Sequence, residues 1–160
     1  MRALIFIPFI LQAIVIVLDE YLFHLKRGLP KWERIGHPLD TLSVIACFIF
    51  VLFVPYGPGM IKYYVITAIF SCLLITKDEF VHKHHCPAAE QWLHAILFVN
   101  HSVLLAAMGL ITPKIHGHDV FAWLPSAEAL VPFLGAQALF AGLFCLYQIV
   151  YWNLIYVPNQ

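Results

Sequence analysis

The chain has 160 residues, 62% of them hydrophobic and only 11% charged, with nine basic and nine acidic side chains that cancel to a formal charge of zero. A mean hydropathy of +0.84 excludes an ordinary soluble domain. The zero net charge leaves no basic surface for a nucleic acid.

Apolar runs lie at about Ala3–Leu18, Leu42–Pro55, Met60–Thr76, Ala95–Thr112 and Ala129–Val157. With their less apolar flanks they approach the ~20 residues a bilayer crossing needs. The expected fold is an all-α polytopic membrane bundle of five spans, forming one integral-membrane domain over residues 1–160. No small-x-small cleavage motif precedes Asp19-Glu20, so the first run reads as a retained span rather than a signal. Pro30 and Pro87 each suit the first turn of a helix. Gly36 and Pro38 predict a break after His37, and Tyr56-Gly57-Pro58-Gly59 a tight turn into the third span. Trp123 and Trp152 fit aromatic belts at the two interfaces.

Lys26, Arg27, Lys31 and Arg34 lie between spans one and two, and Lys77 and Lys83 between three and four, whereas the other side has only Arg2, Lys62 and Lys114. The positive-inside rule then puts the N-terminus outside and the C-terminus in the cytoplasm. It gathers most of the acids and histidines at the cytoplasmic face.

Four times a carboxylate stands four positions ahead of a histidine: Glu20/His24, Glu33/His37, Asp78/His82 and Glu90/His94. Chance alone gives roughly half a match, and the spacing puts both side chains on one helical face. The pairs fall into two similar halves. Asp19-Glu20-Tyr21 precedes Pro30-x-x-Glu33-x-x-x-His37, and Asp78-Glu79-Phe80 precedes Pro87-x-x-Glu90-x-x-x-His94. An internal repeat is expected, with halves at about 3–55 and 60–113, a fifth span at about 129–157, and a pseudo-two-fold axis along the membrane normal.

Helical geometry turns His94 by about 40° and His101 by about 20° from Glu90, making one stripe that reaches into span four. His101 is therefore a candidate deep ligand, with Asn100 beside it as a hydrogen-bond partner. Asp78, His82 and His85 form a second stripe, and Glu79-x-x-His82 adds a spacing found in di-iron helical bundles. Glu20 with His24, and Glu33 with His37 and Asp40, supply the first half. The candidate ligands are thus Glu20, His24, Glu33, His37, Asp78, Glu79, His82, His85, Glu90, His94 and His101. Asp19, Asp40, Asn100 and Asn153 are expected to hold them through hydrogen bonds. Cys86 follows His84-His85 and is a further candidate ligand or redox-sensitive thiol. Cys47, Cys72 and Cys145 read as small apolar residues within spans.

Mixed carboxylate and imidazole ligation suits a dinuclear site, iron first, with zinc or manganese as the alternatives. Over residues 19–101 the pattern resembles membrane-bound non-haem di-iron hydroxylases, desaturases and quinol oxidases in ligand type and placement. It departs from their histidine boxes, because His82-Lys83-His84-His85 lacks the His-x-x-His-His spacing. The resemblance implies two iron ions, oxygen chemistry, an electron donor of unknown kind, and a lipid or other apolar substrate arriving from the membrane. The competing readings are an intramembrane zinc hydrolase and a divalent-metal binding or transport protein. Transport is disfavoured by the nearly wholly apolar outer halves of the spans.

Overall fold

The computed structural model describes residues 2–78 and 86–156. Five helices in it are long and apolar enough to cross a membrane: α1 (Ala3–Arg27), α2 (Lys31–Phe53), α3 (Pro58–Ile75), α4 (Ala88–Ile115) and α5 (Ala127–Ile155). Among the described residues there is no strand, in keeping with the all-α multi-pass bundle expected from hydropathy.

The helices outrun their apolar segments at the polar end of the bundle. Pro30 and Pro87 stand just ahead of α2 and α4 in nearly identical extended conformations, φ −62° and ψ 155° against φ −64° and ψ 157°. Their carbonyls accept from Arg34 N and Gln91 N, each at 3.1 Å. The two Pro-x-x-Glu segments therefore do the same local job. Each starts a helix with its glutamate in the first turn, where a negative charge suits the helix dipole.

The break expected after His37 does not occur. α2 continues through Gly36 and Pro38, although Pro38 has no N–H to offer the carbonyl of Arg34. Asn153 of α5 supplies that hydrogen bond instead, donating Nδ2 to Arg34 O at 3.1 Å. Asn153 is thus a helix-repairing residue and is not seen holding a candidate ligand.

α1 packs on α4, and α2 packs between α3 and α5, with α4 reaching α2, α3 and α5. Phe9, Val51, Met108, Ile111, Leu130 and Leu134 form the dry core at the end remote from Pro30 and Pro87. Asn100 fixes α4 to α1 by donating to Pro8 O and Gln12 Oε1, each at 2.8 Å. It does not partner His101. Leu73, Val99 and Leu139 point outward, 65%, 70% and 64% exposed, an outer face suited to lipid tails.

Candidate metal centre

The polar end of the bundle converges on the end of α1. Between Glu20 and His24 that helix widens into a π turn, with Leu25 N–H bonding Glu20 O. Such a turn brings residues five apart onto one face, and π turns are common at functional sites. Asp19, Glu20 and His24 consequently all turn inward and are buried. α-Helical arithmetic puts Asp19 on a neighbouring face, behind the ligands; the π turn places it in the middle of the cluster.

His24 sits at the centre. Its Nδ1 is 3.1 Å from Glu20 Oε2, while Nε2 lies 3.2 Å from Asp19 Oδ2 and 3.6 Å from Glu90 Oε1. His94 Nε2 is 2.9 Å from the same Asp19 oxygen. If Nδ1–H donates to Glu20, Nε2 of a neutral imidazole aims its lone pair at two carboxylates. That arrangement needs a cation or a proton between them. Asp19 Oδ1 and His24 Nε2 are buried without a hydrogen-bond partner among the described residues.

These residues fit a metal ion. Ligand atoms of Asp19, His24, Glu90 and His94 all lie within 4.8 Å of one another, as do those of His24, Glu33 and His37. A tetrahedral ion with bonds of about 2.0–2.2 Å separates its ligand atoms by about 3.4 Å. The observed separations of 3.2, 3.6 and 2.9 Å for His24–Asp19, His24–Glu90 and His94–Asp19 lie within about 0.5 Å of that value. Glu20 takes a different position: it orients His24 through Nδ1, the usual carboxylate–histidine arrangement behind a metal. Its Oε1 accepts from Tyr147 OH at 2.6 Å and Trp152 Nε1 at 2.9 Å. Trp152 is only 1% exposed, so this indole is inside the site and not in an interfacial belt.

Arg27, read from the sequence only as a topological charge, forms the other wall. Its Nη2 donates to Glu33 Oε2 and Glu90 Oε1, each at 2.7 Å, and its Nε reaches Glu90 Oε1 and Oε2 at 3.1 and 3.2 Å. One guanidinium thus clamps the glutamates that open α2 and α4. Gly28 follows at φ 74°, a conformation that strains any other residue, and a Cβ there would fall 2.1 Å from Tyr156 OH, so the ring would have to shift.

Four buried carboxylates, Asp19, Glu20, Glu33 and Glu90, share this region. Arg27 is the one guanidinium or ammonium seen pairing with them among the described residues. Gathering four carboxylates in a low-dielectric interior is expensive. A divalent ion would offset part of that cost.

Cys86 covers the clamp, with Sγ 3.6 Å from Arg27 Nη2. Burial pushes its thiol up to about 12; Arg27 pulls down, and Glu90 and Glu33 push up.

The remaining expected residues lie elsewhere. His101 lies two turns deeper in α4, with Nε2 2.9 Å from Ser71 Oγ, which in turn is 2.6 Å from Ser43 Oγ. Asp40 pairs with Lys77 at 2.5 Å. Glu79, His82 and His85 lie outside the described residues, as does the side chain of Asp78.

A cavity of about 160 Å³ leads from the cluster into the bundle, with Asp19, His24, His37 and His94 at its polar end. Its walls farther in include Ile16, Leu97, Phe98, Phe140 and Phe144, with His101 among them. The buried His/Asp/Glu cluster can hold a metal ion beside an apolar chamber. No family model, curated protein or solved structure matches the chain.

Proposed function

We propose that the cluster is the metal centre of a membrane-embedded, oxygen-dependent oxidoreductase that acts on a lipid acyl chain or another apolar molecule at the cytoplasmic interface. The supporting observation is the juxtaposition of inward-facing lone pairs on buried Asp19 and His24 with a chamber whose deeper walls are largely hydrocarbon. Asp19, His24, Glu90 and His94 hold one ion. A second draws on His37 and Glu33, with Asp78, Glu79, His82 and His85 as the further donors expected from the sequence.

Iron bound there would supply oxygen activation and one-electron chemistry. The chain supplies the rest. Glu20 fixes the His24 ring, Arg27 balances charge and sets the positions of α2 and α4, and Phe98, Phe140 and Phe144 seat an apolar chain while excluding water. The substrate reaches the chamber sideways from the lipid.

One observation favours a second reading. Asp19, His24 and His94 offer three donors for a single ion, with Glu90 beside them as a base while Arg27 engages both Glu90 and Glu33, and this leaves a fourth position for water, as an intramembrane zinc hydrolase would require. Elemental analysis of protein purified without added metal separates the two. Two irons per chain support the oxidoreductase, one zinc supports the hydrolase, and no bound metal with unchanged folding in chelator overturns both.

A further inference from the structure

Beyond the cluster, α5 carries a continuous file of aromatic rings. Phe144 and Tyr147 have centroids 5.8 Å apart, Tyr147 and Tyr151 5.3 Å, Tyr151 and Trp152 5.0 Å, and Trp152 and Tyr156 4.8 Å. Ordinary i,i+4 spacing stacks Tyr147 on Tyr151. The π turn at Tyr151–Ile155 then swings Trp152 inward while keeping it against both tyrosines. The file ends at Tyr156, beneath the Arg34 guanidinium 5.7 Å from its ring centroid.

Two of these rings meet the metal cluster through one atom, since Tyr147 OH and Trp152 Nε1 both donate to Glu20 Oε1. Lipid-facing packing does not call for this arrangement. Tyrosine and tryptophan are the side chains most readily oxidised by one electron through their rings, and oxidised tyrosine must shed its phenolic proton. Here Tyr147 already points that proton, and Trp152 its indole N–H, at a buried carboxylate whose other oxygen is hydrogen-bonded to His24.

We propose that Tyr147 is a redox-active residue, and that Tyr147, Tyr151, Trp152 and Tyr156 form the path by which single electrons reach the metal centre from the end of α5. The inference rests on the oxidoreductase reading and identifies where its electron donor acts. Tyr147 passes one electron to the oxidised metal centre, which is reduced by one, and its phenolic proton to Glu20, leaving a neutral tyrosyl radical and a protonated carboxyl. An electron arriving through Tyr151 and Trp152 from a one-electron donor protein near Tyr156 reduces the radical, and Glu20 returns the proton. Atoms are restored and one electron has moved from donor to metal. Phe144 and Phe140 continue the file into the chamber but are much harder to oxidise, so the path stops at Tyr147.

The test needs no metal. Full-length protein in detergent, stripped with chelator, is oxidised by flash-generated tris(bipyridine)ruthenium(III) with persulfate as the sacrificial acceptor. Samples are frozen and their radicals read by high-field electron paramagnetic resonance. The expected wild-type signal is a hydrogen-bonded neutral tyrosyl radical that is lost in Tyr147→Phe and retained in Tyr21→Phe, a change at an exposed ring outside the file. Glu20→Gln is expected to shift the g-value that reports the hydrogen bond, and Trp152→Phe to slow the rise of the signal. An unchanged spectrum in Tyr147→Phe, with folding preserved by circular dichroism, overturns the path while leaving the metal reading intact. A wild-type protein that carries only zinc overturns the oxidoreductase reading, and with it the electron-supply role, even if the radical forms.

Discussion

Replacing Arg27 tests the charge balance of the cluster. Arg27→Met keeps much of the side-chain length but removes the guanidinium that pairs with Glu33 and Glu90, both 0% exposed. Breaking a buried ion pair strands a charge and costs about 3–5 kcal/mol. Two carboxylates lose their guanidinium here, but the Arg27 side chain is 21% exposed and Glu90 keeps His24 nearby, so the lower end, about 3 kcal/mol, is expected. For a chain of this size 1 kcal/mol moves the midpoint by about 2–4 °C, so the thermal transition followed by circular dichroism in detergent should fall by about 6–12 °C. Arg27→Lys should lie between, because it keeps the charge but not the planar fork. The triple variant Arg27→Met, Glu33→Gln, Glu90→Gln should recover most of the loss. A midpoint within about 2 °C of wild type for Arg27→Met, corresponding to less than about 1 kcal/mol, would refute the view that this guanidinium neutralises the two glutamates.

Other expectations concern separate parts of the molecule. His94→Ala should lose most bound metal while His118→Ala, at an exposed position at the other end of the bundle, retains it; equal metal content in the two would count against the site. Cys86 should react with iodoacetamide at pH 8 about a thousandfold or more slowly than an ordinary cysteine, because a thiol at about 12 holds almost no thiolate there. Arg27→Met should slow it further by removing the group that pulls the thiol down, and rapid labelling of the wild type would contradict its burial. Asn100→Leu, which removes both hydrogen bonds from α4 to α1, at Pro8 O and Gln12 Oε1, should destabilise the α1–α4 pair by about 1–3 kcal/mol in denaturant titration.

Much of this architecture is legible in the amino-acid order because lipid and helix geometry act locally. Long apolar runs mark five helices, and the Pro-x-x-Glu segments mark where two of them begin. The i,i+4 rule finds Glu20 with His24, and the structure gathers that pair with Glu33, His37, Glu90 and His94 at one end.

What escapes it depends on backbone exceptions and long-range contacts. A π turn moves Asp19 into the cluster, and a second one carries Trp152 inside. Pro38 looks like a helix stop until Asn153, 119 residues from Arg34, takes over the missing donor. Arg27 resembles any basic residue beside a span, and only the meeting of α1, α2 and α4 shows which carboxylates it serves. His101 has the right helical phase for the ligand stripe, but its depth pairs it with Ser71.

The most direct measurement is metal-edge X-ray absorption on protein purified without added metal, compared with Asp19→Asn. The site described here expects a first shell of nitrogen and oxygen at about 2.0–2.2 Å with two or more imidazoles and no sulfur at about 2.3 Å, and a large loss of bound metal in the variant. A sulfur-containing shell, or metal content unaffected by Asp19→Asn, would contradict it.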